Sequence, residues 1–229
     1  MSTPRAKPKP ADAALEIAKT RSVFPCNPED KRSLTKHGFK DATQKTDTIK
    51  AWWTRWPNAM IGVPMGEGDF CVDLDRKPNG GDGVATWDEW EVTHGSAVTR
   101  THATPSTGKH LLFRHEPGIR SIPLDKLGPG IEVKGEGGYI IVPPSRKSDG
   151  KEYSVITDGE VAEAPDWLLQ KIYGYLNRDF EQAMGRDAGM GVQPPRGDSY
   201  PPPDLDELRE LLRRLRGVVP ARGGTSQSG

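Results

Sequence analysis

Asp69-Phe-Cys-Val-Asp-Leu-Asp75 is the stretch from which the fold reads outward. A mostly apolar run ends in two carboxylates, Asp73 and Asp75, with one residue between them. On a β-strand, residues i and i+2 leave the same side, so both carboxylates can converge on one hard cation. Oxygen ligands in that arrangement suit Mg²⁺ or Mn²⁺ held beside a phosphate substrate. Taken alone, an Asp-x-Asp pair is weak evidence for a metal and reads first as a solvated strand end. Two segments further along the chain decide how it is read.

The first is Thr104-Pro-Ser-Thr-Gly-Lys-His-Leu-Leu-Phe113. A glycine-containing turn delivers Lys109 and His110 to the start of an apolar strand, with Ser106 and Thr107 beside them. Backbone N–H groups, a hydroxyl, an ammonium and an imidazole are all anion ligands. The competing reading is a hairpin whose histidine packs against the sheet. The second segment is Gly130-Ile-Glu-Val-Lys-Gly-Glu-Gly-Gly-Tyr-Ile-Ile-Val-Pro-Pro144. Glu132 and Lys134 share a strand face opposite Ile131 and Val133. They form either a surface ion pair worth under about 1 kcal/mol, or a third metal ligand beside a phosphate-binding ammonium. Three acidic residues on two strands, with a basic Ser/Lys/His turn, are the parts needed for two-metal nucleotidyl transfer.

Composition sets the frame. The 229 residues suffice for one good-sized domain and an appendage. The 26 glycines, 21 prolines and a hydrophobic content of 34% mark a turn-rich chain of which part carries no core. Lys+Arg and Asp+Glu balance at 32 each, so net charge advertises no polyanion partner, although a local basic patch would suffice. The only cysteines, Cys26 and Cys71, lack zinc spacing, and no zinc is expected. No apolar run approaches membrane-spanning length and the Lys/Pro-rich start is not a secretory signal, so a cytoplasmic protein without a membrane partner is expected.

Periodicity predicts a mixed α/β chain: a flexible lead over 1–10, then a helix over Ala11 to Thr20 and a strand over Ser22 to Pro25. A basic loop follows from Asn27 to Asp41. A helix over Thr46 to Trp56, capped by Thr46 or Asp47, is stopped by Pro57. Strands are predicted at Met60 to Val63 and Phe70 to Leu74. Gly80-Gly-Asp-Gly83 reads as a turn rather than a phosphate loop, since it lacks the Lys-[Ser/Thr] of a P-loop. A helix over Val84 to His94 comes next. Further strands are expected at Ala97 to Thr101, His110 to His115, Ile131 to Lys134, Tyr139 to Val142 and Glu152 to Ile156. A closing helix opens at Pro165. Residues 11–178 are read as the catalytic domain, 185–203 as a Pro/Gly-rich linker, 204–216 as a Leu-rich helix needing a partner, and 217–229 as a disordered tail. Trp52, Trp53 and Trp56 offer rings for base stacking, but two of them are read as anchors of the helix to the core. The basic stretch of Lys31, Arg32, Lys36, His37 and Lys40 is either a template-phosphate contact or a solvated loop.

In this order, Asp73-Leu-Asp75, Gly108-Lys-His110 and Ile131-Glu-Val-Lys-Gly135 resemble the three motifs of the archaeo-eukaryotic primase superfamily. The closer resemblance is to the bifunctional primase-polymerase N-terminal (prim-pol) domain of plasmid, phage and prophage replication proteins. It covers about Ala11 to Tyr173 and takes in Ile49-Lys-Ala-Trp-Trp53, Asn79-Gly-Gly-Asp-Gly83, Val142-Pro-Pro-Ser145 and Ala164-Pro-Asp-Trp167. One departure is Gly108, standing where the family often has a small hydroxyl residue. The resemblance implies an α+β fold with an RRM-like catalytic sheet, flanking helices and an N-terminal α/β subdomain. It implies template-directed nucleotidyl transfer, by a primase/DNA polymerase, on single-stranded DNA template and primer. Nucleoside triphosphates would be the substrates and Mg²⁺ or Mn²⁺, as two ions, the cofactor. Asp73, Asp75 and Glu132 would be the catalytic metal ligands, with Ser106, Thr107, Lys109, His110 and Lys134 on the triphosphate. A helicase or other replisome protein would dock through 204–216. A degenerate nucleic-acid-binding adaptor and a metal-dependent nuclease are the alternative readings.

Overall fold

The computed structural model describes residues 8–77 and 80–187, with side chains described through Asp179. Two antiparallel sheets and four helices make an α+β fold. The helices are α1 (Pro10–Ile17), α2 (Thr46–Arg55), α3 (Gly83–His94) and α4 (Asp166–Asp187). The strands are β1 (Phe24–Cys26), β2 (Met60–Pro64), β3 (Asp69–Leu74), β4 (Thr101–Ala103), β5 (Lys109–Arg114), β6 (Ile131–Lys134), β7 (Tyr139–Val142) and β8 (Ser154–Thr157).

The larger sheet runs β6-β3-β5-β4-β8. Its first four strands follow the split β-α-β order expected of an RRM-like unit: β3 and β4 are parallel, separated by β5 and joined through α3. The smaller sheet, β1-β2-β7, carries α1 and α2 and forms the N-terminal α/β subdomain, although β7 joins it only after the chain has completed β6 of the larger sheet.

Period-two alternation sorts the large sheet into two faces. Phe70, Val72 and Leu74 of β3, Leu111 and Phe113 of β5 and Ile131 and Val133 of β6 pack against α3 and α4 through Val84, Trp87, Leu168 and Ile172. Trp87 touches both Phe113 and Trp167, and Phe70 stacks on Phe113 at 5.7 Å between ring centres. On the opposite face Cys71 and Leu112 join the core of the smaller sheet, with Ile61, Val63, Ile140 and Val142. Arg21, just after α1, pairs with Asp69 at the start of β3 and ties the two halves together at the end away from Asp75.

Most elements lie where periodicity places them, and the exceptions have local causes. The N-cap of α2 is Lys45, without a side-chain cap; Thr43 Oγ1 accepts from the Lys45 N–H instead, so neither Thr46 nor Asp47 caps the helix. The strand expected at 97–101 begins at Thr101, because the Thr99 hydroxyl intercepts the Leu112 carbonyl and the Ala162 N–H. The closing helix reaches Asp187, three residues into the segment read as a linker. The rest of 185–203, the Leu-rich segment 204–216 and the tail lie outside the described residues. Trp53 anchors α2 as expected, with its Nε1 donating to the Ala59 carbonyl, and Trp52 and Trp56 pack against the cores.

The Gly80-Gly-Asp-Gly83 turn has two roles. Asp82 caps α3, its Oδ1 accepting from the N–H groups of Val84 and Ala85, each at 3.0 Å. Gly83 then clasps the end of β3 together with Gly130. The Asp75 N–H donates to the Gly130 carbonyl at 2.8 Å, and the Gly83 N–H donates to the Asp75 carbonyl at 2.7 Å. A Cβ on Gly83 would lie 2.2 Å from the Gly130 oxygen, and one on Gly130 would lie 2.1 Å from the Gly83 nitrogen. Gly130 also sits at φ +71°, which favours glycine. Asp75 projects beyond the strand, and this clasp sets its position.

Register aligns one rung across the sheet: Glu132 faces Asp73, Asp73 faces His110, and His110 faces His102. Burial, with His110 and Arg100 nearby, pulls the His102 imidazole down to about 4. Its folded value lies below that of the unfolded chain, so protons bind preferentially to the unfolded state as pH falls from 6.5 towards 4. Urea unfolding should lose about 2–3 kcal/mol across that window from this residue, and His102→Gln should flatten the profile there. Gly130→Ala should destabilise the fold by about 1–3 kcal/mol through overpacking and strain, read in the same unfolding curves.

Candidate active site

The Asp73 rung opens into a cleft of about 470 Å³ between the two sheets. One wall is the large sheet, with Asp73, Asp75, His110, Glu132 and Lys134. The other carries Gly137 to Ile141, Tyr153 and the loop bearing Asp30 and Lys31. Strand geometry explains the first wall. Asp73 and Asp75 share a side because they are two apart, and antiparallel pairing with β6 brings Glu132 directly opposite Asp73.

One oxygen from each of Asp73, Asp75 and Glu132 lies within 4.8 Å of the others. Asp73 Oδ1 is buried without a hydrogen-bond partner. His110 Nε2 lies 3.6 Å from it, beyond hydrogen-bond length. A buried carboxylate oxygen is costly unless something satisfies it. An all-oxygen donor set with an unsatisfied member fits a hard divalent cation such as Mg²⁺ or Mn²⁺.

The two aspartates titrate in opposite directions. Burial pushes the Asp73 carboxyl up, but the adjacent His110, with Lys134 and Lys31, outweighs it and holds Asp73 below the ordinary carboxylate range. Burial and the neighbouring Asp73 charge push Asp75 up, against Lys77 and Lys31. The Lys134 ammonium donates to Glu132 Oε1 at 2.5 Å. This is the ion pair the strand spacing offers, and it stands inside the cleft.

His110 is buried, its ring 5.7 Å from that of Tyr153, and its Nδ1 has no partner among the described residues. The other expected anion ligands stand apart from the cleft wall. Lys109 alternates with His110 and leaves β5 on the helix-covered side, in phase with Leu111 and Phe113. Ser106 and Thr107 are exposed on the turn, where Ser106 Oγ lies 3.3 Å from Thr104 Oγ1. That turn is pressed against the end of β3: a Cβ on Gly108 would lie 2.2 Å from the Leu74 oxygen. Close backbone approach thus accounts for glycine at this position.

Lys31, Asp30, Ser121, Tyr139 and Tyr153 also line the cleft, and motif reading misses them there. Lys31 belongs to the basic stretch visible in the sequence, but only the tertiary fold brings that loop over the carboxylates. Nothing in the residues around Tyr153 points to the cleft.

Among the described residues, no helix is long and apolar enough to cross a membrane. No curated protein matches the chain. A family model does: bifunctional DNA primase/polymerase, N-terminal (Prim-Pol), over residues 14–167. That span holds the carboxylate cluster, the His110 strand and both cleft walls, so this chain belongs to the Prim-Pol family of DNA primase/polymerase domains.

Proposed function

We propose that this chain is a metal-dependent nucleotidyltransferase that extends a DNA strand from nucleoside triphosphates in plasmid, phage or prophage replication. The observation carrying this reading is the convergence of Asp73, Asp75 and Glu132 at one point of the cleft, around an Asp73 oxygen left unsatisfied by the protein. These three residues would hold the divalent cation, Mg²⁺ or Mn²⁺, as one or two ions. When bound, the cations would activate the primer 3′-hydroxyl and offset charge at the reacting phosphate and the leaving pyrophosphate.

The protein's own groups supply the rest. Asp73 stays ionised because His110 and the lysines outweigh its burial, so it remains a ligand at neutral pH. His110 is held by burial and by the Tyr153 ring, and it acts as a donor to a phosphate oxygen rather than as a base. Lys134, already 2.5 Å from Glu132, places its positive charge where a triphosphate would enter. The single-stranded template and primer are the expected macromolecular partners.

Labelled-nucleotide extension of a primed template tests this. Wild type should extend with Mg²⁺ or Mn²⁺ and stop on chelation. Loss of a ligand forfeits several kcal/mol of charge stabilisation, so Asp73→Asn and Glu132→Gln should each slow extension by about 10²- to 10³-fold. Equal extension by wild type and variants would remove these residues from the chemistry. Template binding without incorporation would favour an adaptor, and strand degradation without nucleotides a nuclease. Because burial and Asp73 disfavour the Asp75 charge, Asp75→Asn should melt at or above the wild-type temperature while losing extension activity, as followed by circular dichroism.

A further inference from the structure

The loop over residues 27–32 crosses the mouth of the cleft in an unusual backbone conformation. Lys31 adopts φ +66°, the left-handed region that a side chain disfavours and glycine or asparagine would occupy more easily. Hydrogen bonds hold it there. The Lys31 N–H donates to the Asn27 carbonyl at 2.9 Å, and the Asn27 N–H donates to the Arg32 carbonyl at 2.8 Å. The Tyr139 hydroxyl, from β7 on the cleft wall, donates to the Lys31 carbonyl at 3.1 Å. A disfavoured conformation maintained this way is a mark of functional positions.

Charge accounting singles out the same residue. Lys134 is committed to Glu132 and, outside the lining, Lys77 lies 3.9 Å from Asp75. Asp30, next to Lys31 on the cleft wall, is engaged with Arg32: its Oδ1 accepts from the Arg32 N–H at 3.0 Å, and its Oδ2 lies 3.8 Å from Arg32 Nε. Among the described residues lining the cleft, Lys31 is the cation with no carboxylate at ion-pair distance. Its side chain lines the same cleft as Asp73, Asp75 and Glu132. An exposed ammonium on the N-terminal subdomain thus faces the carboxylate cluster across a space large enough for a nucleotide.

We propose that Lys31 binds the triphosphate of the incoming nucleotide from the wall opposite His110, so that the two subdomains grip the polyphosphate between them. This rests on the nucleotidyl-transfer reading of the same cleft. Lys31 is a substrate-binding residue here, and its loop is a preset arm rather than a solvated connection. A phosphate of the template or primer backbone offers the same chemistry. The triphosphate is preferred because Lys31 faces the carboxylates themselves, where the reacting phosphates must lie.

Calorimetric titration of the full chain with a deoxynucleoside triphosphate and Mg²⁺ tests the proposal, with primer-template affinity measured in parallel. A charge-assisted contact of ordinary strength predicts that Lys31→Gln and Lys31→Gly weaken triphosphate binding by roughly tenfold, that Lys31→Arg recovers most of it, and that primer-template affinity is unchanged. Lys31→Gly relieves the backbone and should melt no lower than wild type, which separates lost binding from lost folding. Unchanged triphosphate affinity in Lys31→Gln overturns the proposal. So does weakening confined to primer-template, which assigns Lys31 to the strand, or absence of saturable triphosphate binding by wild type. Extension by wild type, scored separately, judges the nucleotidyl-transfer reading: a chain that binds triphosphate through Lys31 but extends nothing would sink that reading and leave this one standing.

Discussion

Mutual repulsion among Asp73, Asp75 and Glu132 is the constraint on which this architecture turns. Unit charges less than 4.8 Å apart oppose one another by on the order of 3 kcal/mol per pair at an effective dielectric constant near 20. A flexible loop would relax by swinging them apart. Here two of the three sit on paired strands, and the third is clasped by backbone hydrogen bonds to Gly83 and Gly130. The reverse face of the same sheet supplies the stability that holds them, through Phe70, Val72, Leu74, Ile131 and Val133 buried against α3 and α4. The alternation that buries those side chains is the alternation that presents the carboxylates. Core and site are therefore two faces of one strand pattern.

The surroundings distribute charge unevenly around that cluster. His110 stabilises Asp73, Lys134 is taken by Glu132, and Asp75 is left as the carboxylate whose ionisation the fold disfavours. A site that leaves one buried oxygen unsatisfied and one carboxylate strained is prepared for a cation, and is less comfortable without one. The cleft needs its second wall for the same reason. The N-terminal subdomain brings Lys31 and the backbone of β7 to the open side, so positive charge borders the cleft from both walls.

Much of the carboxylate-bearing wall was legible in the residues. The Asp-x-Asp spacing, the alternation around Glu132 and the histidine at a strand start are local signals, and pairing needed only to bring the strands together. The limits of the turn chemistry are equally physical. Ser106, Thr107 and Lys109 look equivalent to His110 as anion ligands on paper. Strand alternation turns Lys109 to the other face, however, and the packing of Gly108 on Leu74 sets the turn at the strand end with its hydroxyls exposed. Thr99 shortened a predicted strand by spending its hydroxyl on the next strand's backbone, which no window of propensity registers.

By itself the sequence determined the alternating strands, the helices, the acidic and histidine motifs and their order, because each depends on residues a few positions apart. Tertiary structure alone decided which strands neighbour one another, how Gly83 and Gly130 lock Asp75, and that a basic loop far away in sequence shares a cleft with the carboxylates. Most of those outcomes depend on contacts between distant segments, such as β3 with β6 and, 108 residues apart, Lys31 with Tyr139. Such contacts are selected by packing two sheets against shared cores, and no local pattern encodes that choice.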